Sequence, residues 1–143
     1  MTKENLKVKI ENLGTLQNYR FSVIFAQHAG KWIFCQANNR NTYETPGGHI
    51  EQGETPLDAA KRELYEETGA VEFDIKPMFD YSVQTEKSVS NGQVFFAQVH
   101  VLGDIPDFET SIIKIRLYDD LPEKMTYPLI QPLLFEKIKE LYI

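Results

Sequence analysis

Three glutamates, Glu63, Glu66 and Glu67, fall together in a stretch that runs from Gly48 through Glu54, Thr55, Pro56 and Arg62 to Gly69. Like charges three or four residues apart on a helix repel by roughly 0.2–0.5 kcal/mol per pair. A chain that keeps such a cluster beside a glycine-rich turn is built to hold a hard divalent cation. Pro46-Gly47-Gly48 reads as that turn, with glycine letting the backbone approach a ligand closely. Its main-chain carbonyls would join the carboxylates in an all-oxygen ligand set of the kind Mg²⁺ or Mn²⁺ prefers. Arg62 stands within the cluster, and a Glu54–Arg62 ion pair would tie the preceding loop to the helix and position the acids. A solvated acidic face is the ordinary alternative for a charge run; the neighbouring glycines, Glu54 and Arg62 favour the ion site.

The element carrying these acids is well marked. Thr55, Pro56 and Asp58 supply an N-cap hydroxyl, a proline at the first helical position and an acid near the positive helix end. Leu57, Ala60 and Leu64 recur on one face, and Gly69 offers the left-handed stop. A helix over 56–68 follows, with the three glutamates inside about a 100° arc beside the apolar stripe.

Strand-like runs occupy 6–11, 20–27 and 31–36, the last two as a hairpin, and then 71–83, 93–102 and 112–118. Residues 38–41 read as polar loop, and Lys87 to Gly92 as the turn of a second hairpin. Leu129, Leu133, Leu134, Ile138 and Leu141 recur at helical spacing behind Pro128, predicting a tail helix over 128–142. Strands on both sides of one central helix, with a second helix at the end, predict an α/β or α+β fold in which helices cover a mixed sheet. The 143 residues fit one domain, 1–143.

The start of the chain lacks the apolar region of a signal peptide, and no run of about 18 apolar residues would span a membrane. The chain therefore reads as cytoplasmic with no membrane partner. Cys35, the single cysteine, cannot form an internal disulfide and lies in an apolar run, where it reads as a core residue. A net charge of −6 makes a nucleic-acid duplex an improbable partner. A small anionic ligand arriving with its own metal is compatible with that charge.

Gly48, five residues, Glu54, seven residues, then Arg62-Glu63-Leu64-Tyr65-Glu66-Glu67-Thr68-Gly69 resembles the Nudix box, signature of the Nudix (MutT-like) hydrolases. Seven matched positions at roughly 0.05–0.07 each make coincidence about a one-in-10⁸ event per starting point. Ala70 departs from the larger aliphatic residue usual there. The resemblance implies an α/β/α sandwich with a mixed sheet. It also implies a metal site of Glu63, Glu66, Glu67 and the Gly47 carbonyl, and Mg²⁺- or Mn²⁺-dependent hydrolysis of a nucleoside diphosphate linked to a further group. Glu66 or Glu67 would be the general base, or Glu109 in a later loop a further ligand or base, with Arg62 and Glu54 in the catalytic group.

Outside the box the sequence says less. Arg20, Phe21, Trp32, Arg40, Tyr43, Phe79, Tyr81, Phe95 and Tyr127 could contact a base or phosphate, and His49 a phosphate; Arg40, His49 and Tyr81 are the substrate candidates carried forward. Small nucleoside triphosphates are slightly favoured as substrates. A non-catalytic nucleotide-sensing module and an RNA-end-processing enzyme are the alternatives, the acidic charge and lack of an evident basic patch weighing against the latter. A homodimer is compatible with the sequence, which does not determine oligomeric state.

Overall fold

The computed structural model describes residues 5–37, 40–106 and 112–142. In chain order they form β1 (Lys7–Glu11), β2 (Tyr19–His28), β3 (Lys31–Ala37), β4 (Tyr43–Glu44), β5 (Gly47–His49), α1 (Pro56–Thr68), β6 (Ala70–Gln84), β7 (Val89–Leu102), β8 (Ile112–Tyr118) and α2 (Gln131–Tyr142). The strands build one mixed sheet in the order β1-β6-β7-β2-β3-β4, with β5 added to β2 and β8 to β3. Among these strands only β2 and β7 pair in parallel, at the sheet centre.

Alternation along β2 divides the core between two faces, as a period of two requires. Ile24 and Ala26 point to the face covered by α1, where Ile33, Ala60, Leu64, Phe95, Ala97 and Val99 close one cluster. Val23 and Phe25 point to the other, where Leu134, Phe135 and Ile138 of α2 pack with Trp32 and Phe34. Phe135 is the keystone there, its ring 5.7 Å from that of Phe25 and 5.0 Å from that of Trp32. The two helices thus sandwich the sheet, the layered arrangement predicted. Among the described residues no helix is long and apolar enough to cross a membrane.

The cap of α1 forms as its residues dictate: Thr55 Oγ1 accepts from the Asp58 N–H at 3.1 Å and Asp58 Oδ2 accepts from the Thr55 N–H at 3.1 Å. Gly69 ends the helix at φ 79°. Its missing side chain is also a packing requirement, since a Cβ there would lie 2.5 Å from the Gly103 carbonyl oxygen. Ala70 is fully buried, so the small residue at the box's end is a fitted contact rather than a gap. Cys35 is buried too, as predicted.

Three expectations need correction. Pro46-Gly47-Gly48 is not a free turn: Gly47–His49 is a short strand, pairing Val23 with Gly47 and Phe21 with His49. The second hairpin turns earlier than predicted, at Thr85–Ser88, where the Thr85 N–H meets the Ser88 carbonyl at 2.8 Å. Gly92 therefore lies inside β7, with the Tyr81 ring in the space a side chain would need. The tail helix begins at Gln131, not Pro128, with Pro132 in its first turn. Leu129, Leu133 and Leu141 are exposed, whereas Leu134, Phe135 and Ile138 are buried. Phe135, absent from the predicted stripe, rotates the buried face.

Candidate active site

β2 and β3 share only two register pairs, Gln27 with Trp32 and His28 with Lys31. Beyond these they part: β2 takes β5 along that edge, and β3 takes β4, pairing Cys35 with Glu44 and Gln36 with Tyr43. The chain from Tyr43 to His49 crosses from one strand to the other, anchored by the Ile24 N–H donating to the Pro46 carbonyl at 2.9 Å. The last turns of α1 deliver their acids to this crossing.

Glu67 reaches farthest in, 8% exposed, and its Oε1 accepts from the Gly47 N–H at 3.0 Å. The sequence reading cast Gly47 as a carbonyl ligand; the atom seen to meet the cluster is its amide nitrogen. Gly48 makes room on the other side, because a Cβ there would lie 2.5 Å from Glu63 Oε2. Both carboxyls are crowded. Burial, with the neighbouring Glu63 charge second, pushes Glu67 up to about 9 against the help of the Gly47 N–H. Burial also raises Glu63, opposed by Arg62.

Arg62 is the hub. It donates from Nε and Nη2 to the two Glu54 oxygens at 2.7 and 2.9 Å, the predicted loop-to-helix tie in bidentate form. Nη1 serves Glu63 at 2.6 Å and Glu66 at 3.2 Å, and Nη2 also meets the His49 carbonyl at 3.2 Å. The bond to Glu54 leads the causes that raise the guanidinium, and Arg62 in turn holds Glu54 below the usual carboxylate range. Arg62 engages Glu63 and Glu66, and among the described residues no three acidic, histidine or cysteine side chains form a ready-made ion cage. The donor chemistry nonetheless fits a hard divalent cation: oxygen donors only, at least two of them crowded and held against their charge, beside a glycine whose side-chain space a carboxylate fills.

These acids form one wall of a cavity of about 700 Å³. Glu63 and Glu67 face it from α1; Phe21, Val23, Tyr81 and Val83 line it from the sheet, and Tyr127, Ile130, Gln131 and Leu134 from α2 and the segment before it. Its size, with apolar and aromatic side chains beside four carboxylates, Glu44, Glu51, Glu63 and Glu67, suits a nucleotide-sized ligand. Among the substrate candidates, His49, Tyr81, Phe21 and Tyr127 line the cavity, the His49 ring lying 4.7 Å from that of Phe21. Burial, then the nearby Tyr127, raises the Tyr81 phenol well above its usual range. Trp32, Tyr43, Phe79 and Phe95 are core residues. Arg40 does not line the cavity, but Glu44 does, and there burial raises the carboxyl against the bond to Thr126 and the smaller pull of the Arg40 charge. Glu109 lies outside the described residues.

Sequence reasoning missed Glu44, Thr45 and Gln131. Burial raises the Glu44 carboxyl, and its charge in turn disfavours ionisation of Glu67. Gln131 Oε1 accepts from the Thr45 N–H at 3.1 Å, locking α2 to the crossing strand. The signal was the short run Tyr43-Glu44-Thr45 directly before Pro46-Gly47, too short to be read as a strand. The reading of the surface as lacking a basic patch also changes. Lys114 and Arg116 stand on β8 beside Gln36 and Phe34, and both act on the Tyr43 phenol, which hydrogen-bonds Arg116. Average charge concealed this local gathering.

The chain belongs to the NUDIX family: the model of the NUDIX domain matches residues 16–124, more than half of the chain. It is 34% identical over 104 residues to the putative 8-oxo-dGTP diphosphatase YtkD of Bacillus subtilis, a match spanning 72% of this chain and 64% of that protein. An RNA pyrophosphohydrolase of Psychrobacter cryohalolentis is 40% identical over 47 residues, 33% of this chain and 27% of that protein. The chain thus spans less than two thirds of these relatives' own length. Its fold is similar to that of a point mutant of the Bacillus subtilis pyrophosphohydrolase BsRppH seen in a crystal structure, with TM-score 0.79 at 24% identity over 94% of this chain and 90% of that one.

Proposed function

We propose that this protein is a divalent-metal-dependent pyrophosphohydrolase that cleaves a phosphoanhydride bond in a nucleoside triphosphate or a related nucleoside diphosphate linked to a further group. The observation that carries this reading is the wall of Glu63 and Glu67, backed by Arg62 and Glu66, on a cavity of nucleotide size. Glu63, Glu66, Glu67 and the Gly47 carbonyl would hold Mg²⁺ or Mn²⁺, which when bound supplies charge neutralisation on the phosphoryl oxygens and a more acidic water. Arg62 holds Glu63 and Glu66 in place and ties them through Glu54 to the loop over β5. Glu67, anchored by the Gly47 N–H and hydrogen-bonded to the Glu63 carboxyl, would take the proton of the attacking water once it is ionised. Phe21, His49, Tyr81 and Tyr127 supply flat apolar surface for a base, whose stacking on aromatic faces is worth roughly 1–3 kcal/mol.

A second reading, in which the nucleotide is the 5′-triphosphate end of an RNA, is supported by the relatives described as RNA pyrophosphohydrolases and by the cations around Tyr43. A product-resolved screen with Mg²⁺ or Mn²⁺ tests both: nucleoside triphosphates, dinucleoside polyphosphates, ADP-ribose and 5′-triphosphorylated oligonucleotides, with released phosphate and pyrophosphate measured separately. Turnover of at least one triphosphate is expected, lost in Glu66→Gln with the fold intact. Absence of hydrolysis across the panel, or wild-type turnover in Glu66→Gln, contradicts the reading.

A further inference from the structure

The geometry points to the β3–β8 edge as a track for a single-stranded oligonucleotide whose 5′ end sits in the cavity. This rests on the second reading above and adds the surface that would favour a chain over a free nucleotide.

Two cations, Lys114 and Arg116, act on Tyr43, and the backbones of two more basic residues, Lys124 and Arg40, bond to Tyr43 and to its ladder partner Gln36. Lys114 pairs in register with Gln36 and Arg116 with Phe34, while Gln36 pairs with Tyr43 across the next ladder. Arg116 hydrogen-bonds the Tyr43 phenol, and Lys114 stabilises its ionised form. The Tyr43 N–H donates to the Lys124 carbonyl at 2.8 Å, and the Arg40 carbonyl accepts from Gln36 Nε2 at 3.1 Å. All four side chains are exposed, and none makes an ion pair among the described residues, although the chain carries six more acidic than basic groups.

The cluster abuts the cavity. Glu44, next in the chain after Tyr43, lines it and bonds Thr126, whose neighbour Tyr127 also lines it. A mononucleotide bound with its phosphates at the glutamates ends within that cavity. A longer chain must leave it, and Glu44 and Tyr127 on the cavity wall are chain neighbours of Tyr43 and Thr126, which bond to each other and, through Tyr43, to the Lys124 backbone. Phosphates are the chemistry that an unpaired basic strip on an acidic protein selects, without regard to base sequence. The electrostatic contribution is salt-dependent, with a log–log slope of about −0.7 per phosphate contact for single strands.

The test compares GTP with a 5′-triphosphorylated oligoribonucleotide of about ten residues, at several salt concentrations, in the wild type and in a Lys114→Ala/Lys124→Ala variant. Fluorescence anisotropy of the labelled oligonucleotide reads binding apart from hydrolysis. We expect the variant to raise KM for the oligonucleotide about fivefold or more at low salt, to reduce the salt slope by about 1.4 for two lost contacts, and to leave kcat and KM for GTP near wild type. Arg116→Lys, which keeps the charge while changing the bond to Tyr43, should retain the oligonucleotide KM; Arg116→Ala should raise it. Equal effects on both substrates, or unchanged oligonucleotide affinity, would overturn the track. If no substrate is hydrolysed the enzymatic reading fails, and the anisotropy comparison still decides the track.

Discussion

Two buried acids in this protein are held in opposite ways. Asp80, on β6, is fully buried and met on every side: Tyr19 Oη donates at 2.6 Å, the Leu16 N–H at 3.0 Å and Gln93 Nε2 at 3.0 Å. Burial works against its charge, yet those bonds hold it below the usual carboxylate range. Glu67 is nearly as deep and has one backbone donor, with Glu63 and Glu44 adding like charge. A carboxylate that the fold satisfies is a strut, here fastening the segment before β2 to the sheet. One left short of donors costs stability and is retained where a ligand completes it.

The largest effect should come from breaking the second kind. Glu67→Gln keeps the side-chain size and relieves the crowding, so metal-dependent turnover should fall by roughly 10³-fold while the metal-free protein melts no lower than wild type; a melting temperature several degrees lower would show Glu67 to be a strut as well. Asp80→Asn should do the reverse. It replaces a charged acceptor of three donors, costing about 1–3 kcal/mol in chemical denaturation, with turnover per folded molecule kept; a large loss of turnover at unchanged stability would erase the contrast.

Arg62→Lys is a smaller change, keeping the charge but losing the fork that spans Glu54, Glu63 and Glu66. It should lower both stability and rate, since each charge-assisted bond is worth about 1.5–3 kcal/mol. Unchanged melting would deny the loop-tying role.

The last effect is in pH. Glu67 has its folded value raised to about 9 from an ordinary 4.5, so across that window the folded protein binds more protons than the unfolded chain and stability falls as pH rises. Asp80 is lowered in the fold, so its contribution is present above the ordinary carboxylate range and is lost only in acid. Melting curves of metal-free protein from pH 6 to 9 should therefore slope downward. Glu67→Gln should flatten the slope and Asp80→Asn should leave it. Added Mg²⁺ should raise the melting point more at high pH, because binding displaces the proton.

Much of this was legible in the residues, for reasons that separate local from distant causes. Thr55, Pro56, Asp58 and Gly69 act within one turn of where they stand, so α1 is bounded as predicted. Arg62 and Glu54 meet because a helix and its leading loop keep eight residues within reach. Gly47 and Gly48 suggested a turn because glycine's freedom is a local property; that they form a strand depends on β2, more than twenty residues away. Gln131 and Thr45, which close the cavity, are partners across 86 residues and carried no local sign. The cations at Tyr43 are likewise gathered by strand register, so net charge could not reveal them.

The central claim is that the acids around Glu67 grip a divalent ion for which the fold leaves them short of partners. Mn²⁺ titration followed by the electron paramagnetic resonance of the free ion, run on wild type, Glu67→Gln and Asp80→Asn at pH 8, tests it most directly. The account predicts binding in wild type and Asp80→Asn, with at least tenfold weaker affinity in Glu67→Gln. Equal Mn²⁺ affinity in all three proteins, or none in wild type, would contradict it.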